Sequence, residues 1–97
     1  MLRWSLRARA DLKAIHAYIA KDSPQNATAV ARVVLARAEQ IPATPHAGRV
    51  LPELGDPTIR EVSVHSWRLI YQLRAEQVFV LTLVHKRRVP APEQLRG

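Results

Sequence analysis

A chain of 97 residues is long enough for a single domain with a modest core and leaves no room for a second. It has no cysteine, which excludes a disulfide framework and a thiolate metal site, and no apolar run reaches the ~18–20 residues of a membrane span. The net charge of +7 is carried mainly by arginine, since only Lys13, Lys21 and Lys86 are lysines, and it points to an anionic partner, either nucleic acid or an acidic protein.

With two Trp, two Tyr and one Phe, the chain offers little for stacking bases along a single strand. The opening MLRWSLRARADL carries charges where a signal peptide needs an apolar stretch, so a cytoplasmic location with no membrane partner is expected.

From the start of the chain, Leu2 and Trp4 alternate with Arg3 and Ser5, a period of two that predicts a short strand. From Leu6 the period lengthens. Ala8, Leu12, Ile15 and Ile19 recur at helical spacing and predict a first helix to about Lys21. Ser23 can cap a second helix with Pro24 at its first position, where the missing N–H costs nothing. That helix carries Ala27, Val30, Val34, Ala38 and Ile41 on one stripe, so the two helices form an antiparallel hairpin with a face to bury. Residues 42–57, rich in proline and glycine, read as a loop whose Val50, Leu51 and Leu54 tuck against the core.

The stretch from Thr58 to Arg88 reads as three strands broken at His65-Ser66 and at Ala75-Glu76-Gln77. A two-residue first turn sets Val64 opposite Trp67, Val62 opposite Leu69 and Arg60 opposite Tyr71. The same parity assigns Val78, Val80, Thr82 and Val84 to that apolar face, which the helix hairpin should cover. The other face then gathers Glu61, Ser63, Arg68, Gln72, Arg74 and His85 with Ile70, Phe79, Leu81 and Leu83, and is expected to lie open for a partner. The last strand is apolar on both sides, which predicts a central position with the first strand beyond it.

No phosphate-binding glycine loop, zinc signature or serine-hydrolase elbow is present, and His16, His46, His65 and His85 lack ligand spacing, so neither cofactor nor metal is expected. One chemistry fits the residues. Metal-free RNA cleavage needs proton transfer, which Glu61 or His85 would supply, and cations on the phosphate, for which Arg68, Arg87 and Arg88 are candidates. The competing reading pairs Arg68 with Glu61 across strands and leaves His85 as a strand end.

Taken together the segments resemble the RelE/ParE superfamily of type II toxin–antitoxin toxins over nearly the whole chain. The first helix carries Ala8, Asp11, Leu12, Ile15, Tyr18, Ile19 and Ala20 in the family's spacing, and Asp22-Ser23-Pro24 with Ala27 matches the link to the second. Pro45 and Gly48-Arg49 match a P-x-x-G-R loop. Ile59-Arg60-Glu61, Trp67 to Tyr71 and the ending Leu83-Val84-His85-Lys86-Arg87-Arg88 match the sheet. The resemblance implies an α+β fold of order β-α-α-β-β-β, with a helical hairpin on one face of a mainly antiparallel four-stranded sheet. It also implies a cognate antitoxin, which contacts operator DNA on the toxin's behalf.

Within the superfamily, ParE-like members inhibit DNA gyrase without being enzymes, and RelE-like members cleave mRNA on the ribosome. Val64-His65-Ser66-Trp67-Arg68 lacks the Gly-Asp pair of the nucleases and no Tyr follows Arg88, so the ParE branch is the nearer match. Its partner surface is expected at Arg60, Arg68, Arg74, Phe79, Leu81, Leu83, His85, Lys86, Arg87 and Arg88. The ribonuclease alternative would use Glu61, Arg68, His85 and Arg87, and a basic adaptor with neither activity is the second alternative.

Overall fold

The computed structural model describes residues 1–96. Strand β1 (Leu2–Trp4) leads into helix α1 (Leu6–Ala20) and then α2 (Pro24–Gln40). Strands β2 (Arg49–Val50), β3 (Ile59–Val64), β4 (Trp67–Arg74) and β5 (Gln77–His85) follow, and short 3-10 turns occupy Ile41–Ala43 and Pro92–Leu95. None of the helices among the described residues is long and apolar enough to cross a membrane.

Both helices begin where a serine can take an orphan N–H. Ser5 accepts from Ala8 N at 3.0 Å and Ser23 from Asn26 N at 3.1 Å, with Pro24 in the first turn of α2. Ala8 and Ile15 of α1 and Ala27, Val30, Val34 and Ala38 of α2 are buried, as the 3.6-residue period predicts. All of these but Ala27 pack on Val62, Val64, Leu69, Tyr71, Val78, Val80 and Leu83 of the sheet, and this is the main core.

The sheet runs β1-β5-β4-β3-β2, with β1 parallel to β5 and the other pairs antiparallel. The predicted pairs Val64–Trp67, Val62–Leu69 and Arg60–Tyr71 are all present, and β5 lies between β1 and β4. The sheet has five strands, where four were expected. The addition is β2, two residues that pair Arg49 with Glu61 and Val50 with Arg60. A strand of two residues just after a glycine is too short to display a period, so the sequence reads as loop there.

The expected parity of β5 fails halfway along the strand. Tyr71 pairs with Val80 but Ile70 pairs with Thr82, so Leu81 is an extra residue and the pairing shifts there. Beyond it Leu83 joins the helix-side core, whereas Thr82 and Val84 leave the face assigned to them. Two residues from the start of the chain serve the irregularity. Ser5 Oγ donates to the Leu81 carbonyl at 2.8 Å, and the Asp11 carboxylate accepts from Thr82 Oγ1 and, at 3.1 Å, from Leu83 N. These contacts satisfy polar groups of β5 beyond the point where its pairing with β1 ends.

The second face is not open. Leu51 from the loop, Ile59, Ile70, Leu81 and Val84 form a second buried cluster, with Phe79 and Leu95 packed against it. The expected partner residues Leu81 and Leu83 are therefore buried, Leu81 in this cluster and Leu83 beneath the helices. A 42–57 segment without regular period supplies the cover, and its Leu51 does tuck inward as its apolar character suggests.

Candidate functional site

The strongest polar feature is a buried ion cluster on the second face. Arg68 is 7% exposed and Glu61 is 6% exposed. Arg68 Nε donates to Glu61 Oε1 at 2.6 Å, and its two terminal nitrogens donate to the Glu53 carboxylate, each at 2.7 Å. Arg68 Nη1 also donates to the Arg88 carbonyl at 3.0 Å. Arg49 closes the cluster from the solvent side through two hydrogen bonds to Glu61 Oε2.

A fork of donors held between two carboxylates is the geometry in which arginine binds most tightly. The Glu53 fork, more than any other contact, holds the Arg68 guanidinium above its ordinary pKa. Burial pushes the Glu61 carboxyl up, but hydrogen bonds from Arg68 and Arg49 more than reverse this and hold it below the usual carboxylate range. The Arg68 hydrogen bonds likewise hold Glu53 low. Glu61 is thus a fully engaged anion, not a poised base, and four of the five N–H donors of Arg68 are already committed to protein oxygens.

The three groups that metal-free RNA cleavage would need are also not together. Glu61 and Arg68 lie on the second face, whereas the shift at Leu81 turns His85 to the helix side, where it pairs with Trp67. The two rings meet edge to face with centroids 5.5 Å apart. His85 Nδ1 accepts from Arg87 N at 3.2 Å. The sequence placed Glu61, Arg68 and His85 on one face, and the structure separates the histidine from the other two. No group of three His, Asp or Glu residues among those described is arranged to hold a metal ion.

The remaining expected partner residues divide in two. Arg60 donates to the carbonyls of Pro57, His46 and Gly48, and so fastens the loop. Arg74 lies over the Phe79 ring at 4.7 Å from its centroid. Lys86, Arg87 and Arg88 form an exposed turn just past β5, with no ion pair to a carboxylate among the described residues. Beside this turn runs a groove of about 770 Å³ between α1 and the end of the sheet, lined by Ala14, Tyr18, Trp67, His85, Arg87 and Val89 among others. Tyr18 is 70% exposed and Val89 is 72% exposed, so two large apolar side chains stand in solvent next to three cations.

Sequence reasoning missed Glu53 and the groove. Glu53 is one acid in a proline-flanked loop, and nothing local marks it as the partner of a residue fifteen positions later. Tyr18 carried a visible signal, an aromatic ring off the buried stripe of α1, but its neighbour Val89 comes from beyond the last strand.

Comparison with known proteins agrees with this architecture. The family model for the ParE toxin of the type II toxin–antitoxin system parDE matches residues 2–90. No curated protein sequence matches at a significant level. Among solved structures, a chain of the chromosomal ParDE toxin–antitoxin system from P. aeruginosa superposes with a TM-score of 0.72 at 18% identity, covering 87% of this chain and 92% of that one. At that identity the likeness speaks for the fold. The family match spans nearly the whole chain, and the protein belongs to the ParE toxin family of type II toxin–antitoxin systems.

Proposed function

We propose that this chain arrests growth by binding and inhibiting DNA gyrase, with no catalytic chemistry of its own, and that a cognate antitoxin neutralises it in the cytoplasm. The observation that carries this reading is the state of Glu61 and Arg68. They are the acid and cation that would serve metal-free RNA cleavage on the second face, and they are spent on each other, on Glu53 and on Arg49. What the surface does offer is suited to protein recognition: a groove of mixed character in which exposed Tyr18 and Val89 stand beside the cations Arg87 and Arg88. An antitoxin partner is supported by the family match and by the structural relative, itself part of a ParDE system.

The reading is tested by inducing the chain in bacteria without an antitoxin and following plasmid supercoiling, the DNA-damage response and mRNA integrity in the same culture. Loss of supercoiling with filamentation and intact mRNA is expected. Rapid mRNA loss with normal supercoiling would overturn it in favour of a ribonuclease, and unimpaired growth would favour an adaptor. Charge reversal of Arg87 and Arg88 to Glu, on exposed side chains, is expected to abolish growth arrest while changing unfolding free energy by less than about 0.5 kcal/mol.

A further inference from the structure

The cationic turn is exposed in its side chains but pinned in its backbone. Lys86 N donates to Ser66 O at 2.9 Å, Arg87 N to His85 Nδ1 at 3.2 Å and Arg88 N to His85 O at 2.9 Å. The fourth pin is the Arg88 carbonyl, which accepts from Arg68 Nη1 at 3.0 Å. Three consecutive cations repel one another and gain nothing from burial, so their ordering must come from their neighbours. Of the four pins, only the last comes from the buried ion cluster.

A buried arginine with two carboxylates is a poor device for stability alone. Apolar residues of the same volume commonly do as well or better, because they avoid desolvating the charges. What the cluster supplies is a fixed direction. Glu61 holds Arg68 through Nε, and Glu53 holds both terminal nitrogens in one plane. The remaining capacity of Nη1 is thereby aimed at the Arg88 carbonyl.

We infer that Arg68 is a positioning residue: clamped between Glu61 and Glu53, it grips the backbone at Arg88 and sets how Lys86, Arg87 and Arg88 are presented beside the Tyr18–Val89 groove. It touches no target itself. Its consequence for toxicity rests on the toxin reading above, whereas its consequence for the order of the turn does not. Glu53 belongs to the covering loop, so the same clamp ties that loop to the recognition surface.

The test uses the full chain with Arg68→Lys, which keeps the charge but loses the fork, and Glu53→Gln, which removes half the clamp at the loop and leaves the core intact. Val34→Ala, in the helix core, serves as a control chosen to match their loss of melting temperature. Amide exchange over residues 86–89 and growth arrest on induction are measured for all four proteins. Arg68→Lys is expected to raise exchange in that segment about tenfold over Val34→Ala, as loss of one hydrogen bond to a charged group implies, with a smaller rise in Glu53→Gln. Growth arrest should weaken in the same order and stay intact in Val34→Ala.

Exchange no faster than in the control overturns the inference, as does full toxicity in Arg68→Lys despite faster exchange. If the unmodified chain does not arrest growth, the toxin reading falls, and the exchange comparison still decides whether Arg68 holds the turn.

Discussion

The two faces of the sheet are built on different principles. The helix side is covered by two long amphipathic elements whose apolar residues recur at a regular period, and its core contains no charge. The other side is covered piecemeal by Leu51 and Leu95, and at its edge it buries Arg68 and Glu61. The first arrangement tolerates change in proportion to volume lost. The second depends on each charge keeping its partner, so it fails abruptly when one is removed. The face that reaches the cationic turn through the Arg88 carbonyl is thus the one whose integrity depends on direction and charge.

That contrast can be broken by substitution, and the largest effect belongs to the ionic side. Arg68→Ala leaves Glu53 without its partner and the buried Glu61 with Arg49 alone, and is expected to destabilise by about 3 kcal/mol in urea unfolding. Replacing Arg68 and Glu61 together by Met should recover most of that stability yet leave growth arrest impaired, which separates the fold from the function. On the helix side, Leu69→Ala is expected to cost about 2–5 kcal/mol through lost packing and the cavity it leaves.

Acid distinguishes the faces next. Glu61 and Glu53 titrate below their ordinary value in the folded protein. Their contribution is therefore complete above the unfolded value of about 4.3, and it is lost as pH falls through the lowered folded values. Urea unfolding followed from pH 7 down to about 2.5 should lose stability over that window, and Arg68→Ala should flatten the slope. Leu69→Ala should shift the whole curve and leave its shape unchanged.

The smallest expected effect lies at the β4–β5 turn, outside both faces. Ala75 and Glu76 hold φ of 43° and 66°, a left-handed conformation that suits glycine or asparagine better. Glu76→Gly should raise the melting temperature slightly, because relief of about 1–2 kcal/mol of left-handed strain exceeds the entropy cost of about 0.5–1 kcal/mol that glycine brings.

Much of this was legible in the sequence where a regular period reports burial. Ala27, Val30, Val34, Ala38 and Ile41 name their own face, and Val62 and Val64 find Leu69 and Trp67 once a two-residue turn is assumed. The family motifs lay in the right order for the same reason. What was not legible depends on single irregular residues. One extra position at Leu81 moved Leu83 beneath the helices and parted His85 from Arg68, and no local composition announces a bulge. The covering loop was equally silent, because Glu53 and Leu51 acquire their roles only from what lies across from them. The pairing of Arg68 with Glu61 was foreseeable as a cross-strand contact; its capture by Glu53 and its hold on Arg88 were not.

The parallel pairing of β1 with β5 has a bearing on how the molecule comes into being. Ser5 reaches Leu81 across 76 positions of sequence, so β1 waits, unpaired, until nearly all the rest of the chain has been synthesised. Contacts so distant in sequence slow folding, because a long loop must close before they form. The strand whose far end launches the cationic turn is the same strand that completes the sheet. During translation the cationic turn and the groove beside it are thus assembled last, and a growing chain on the ribosome has no complete sheet until its final strand has emerged.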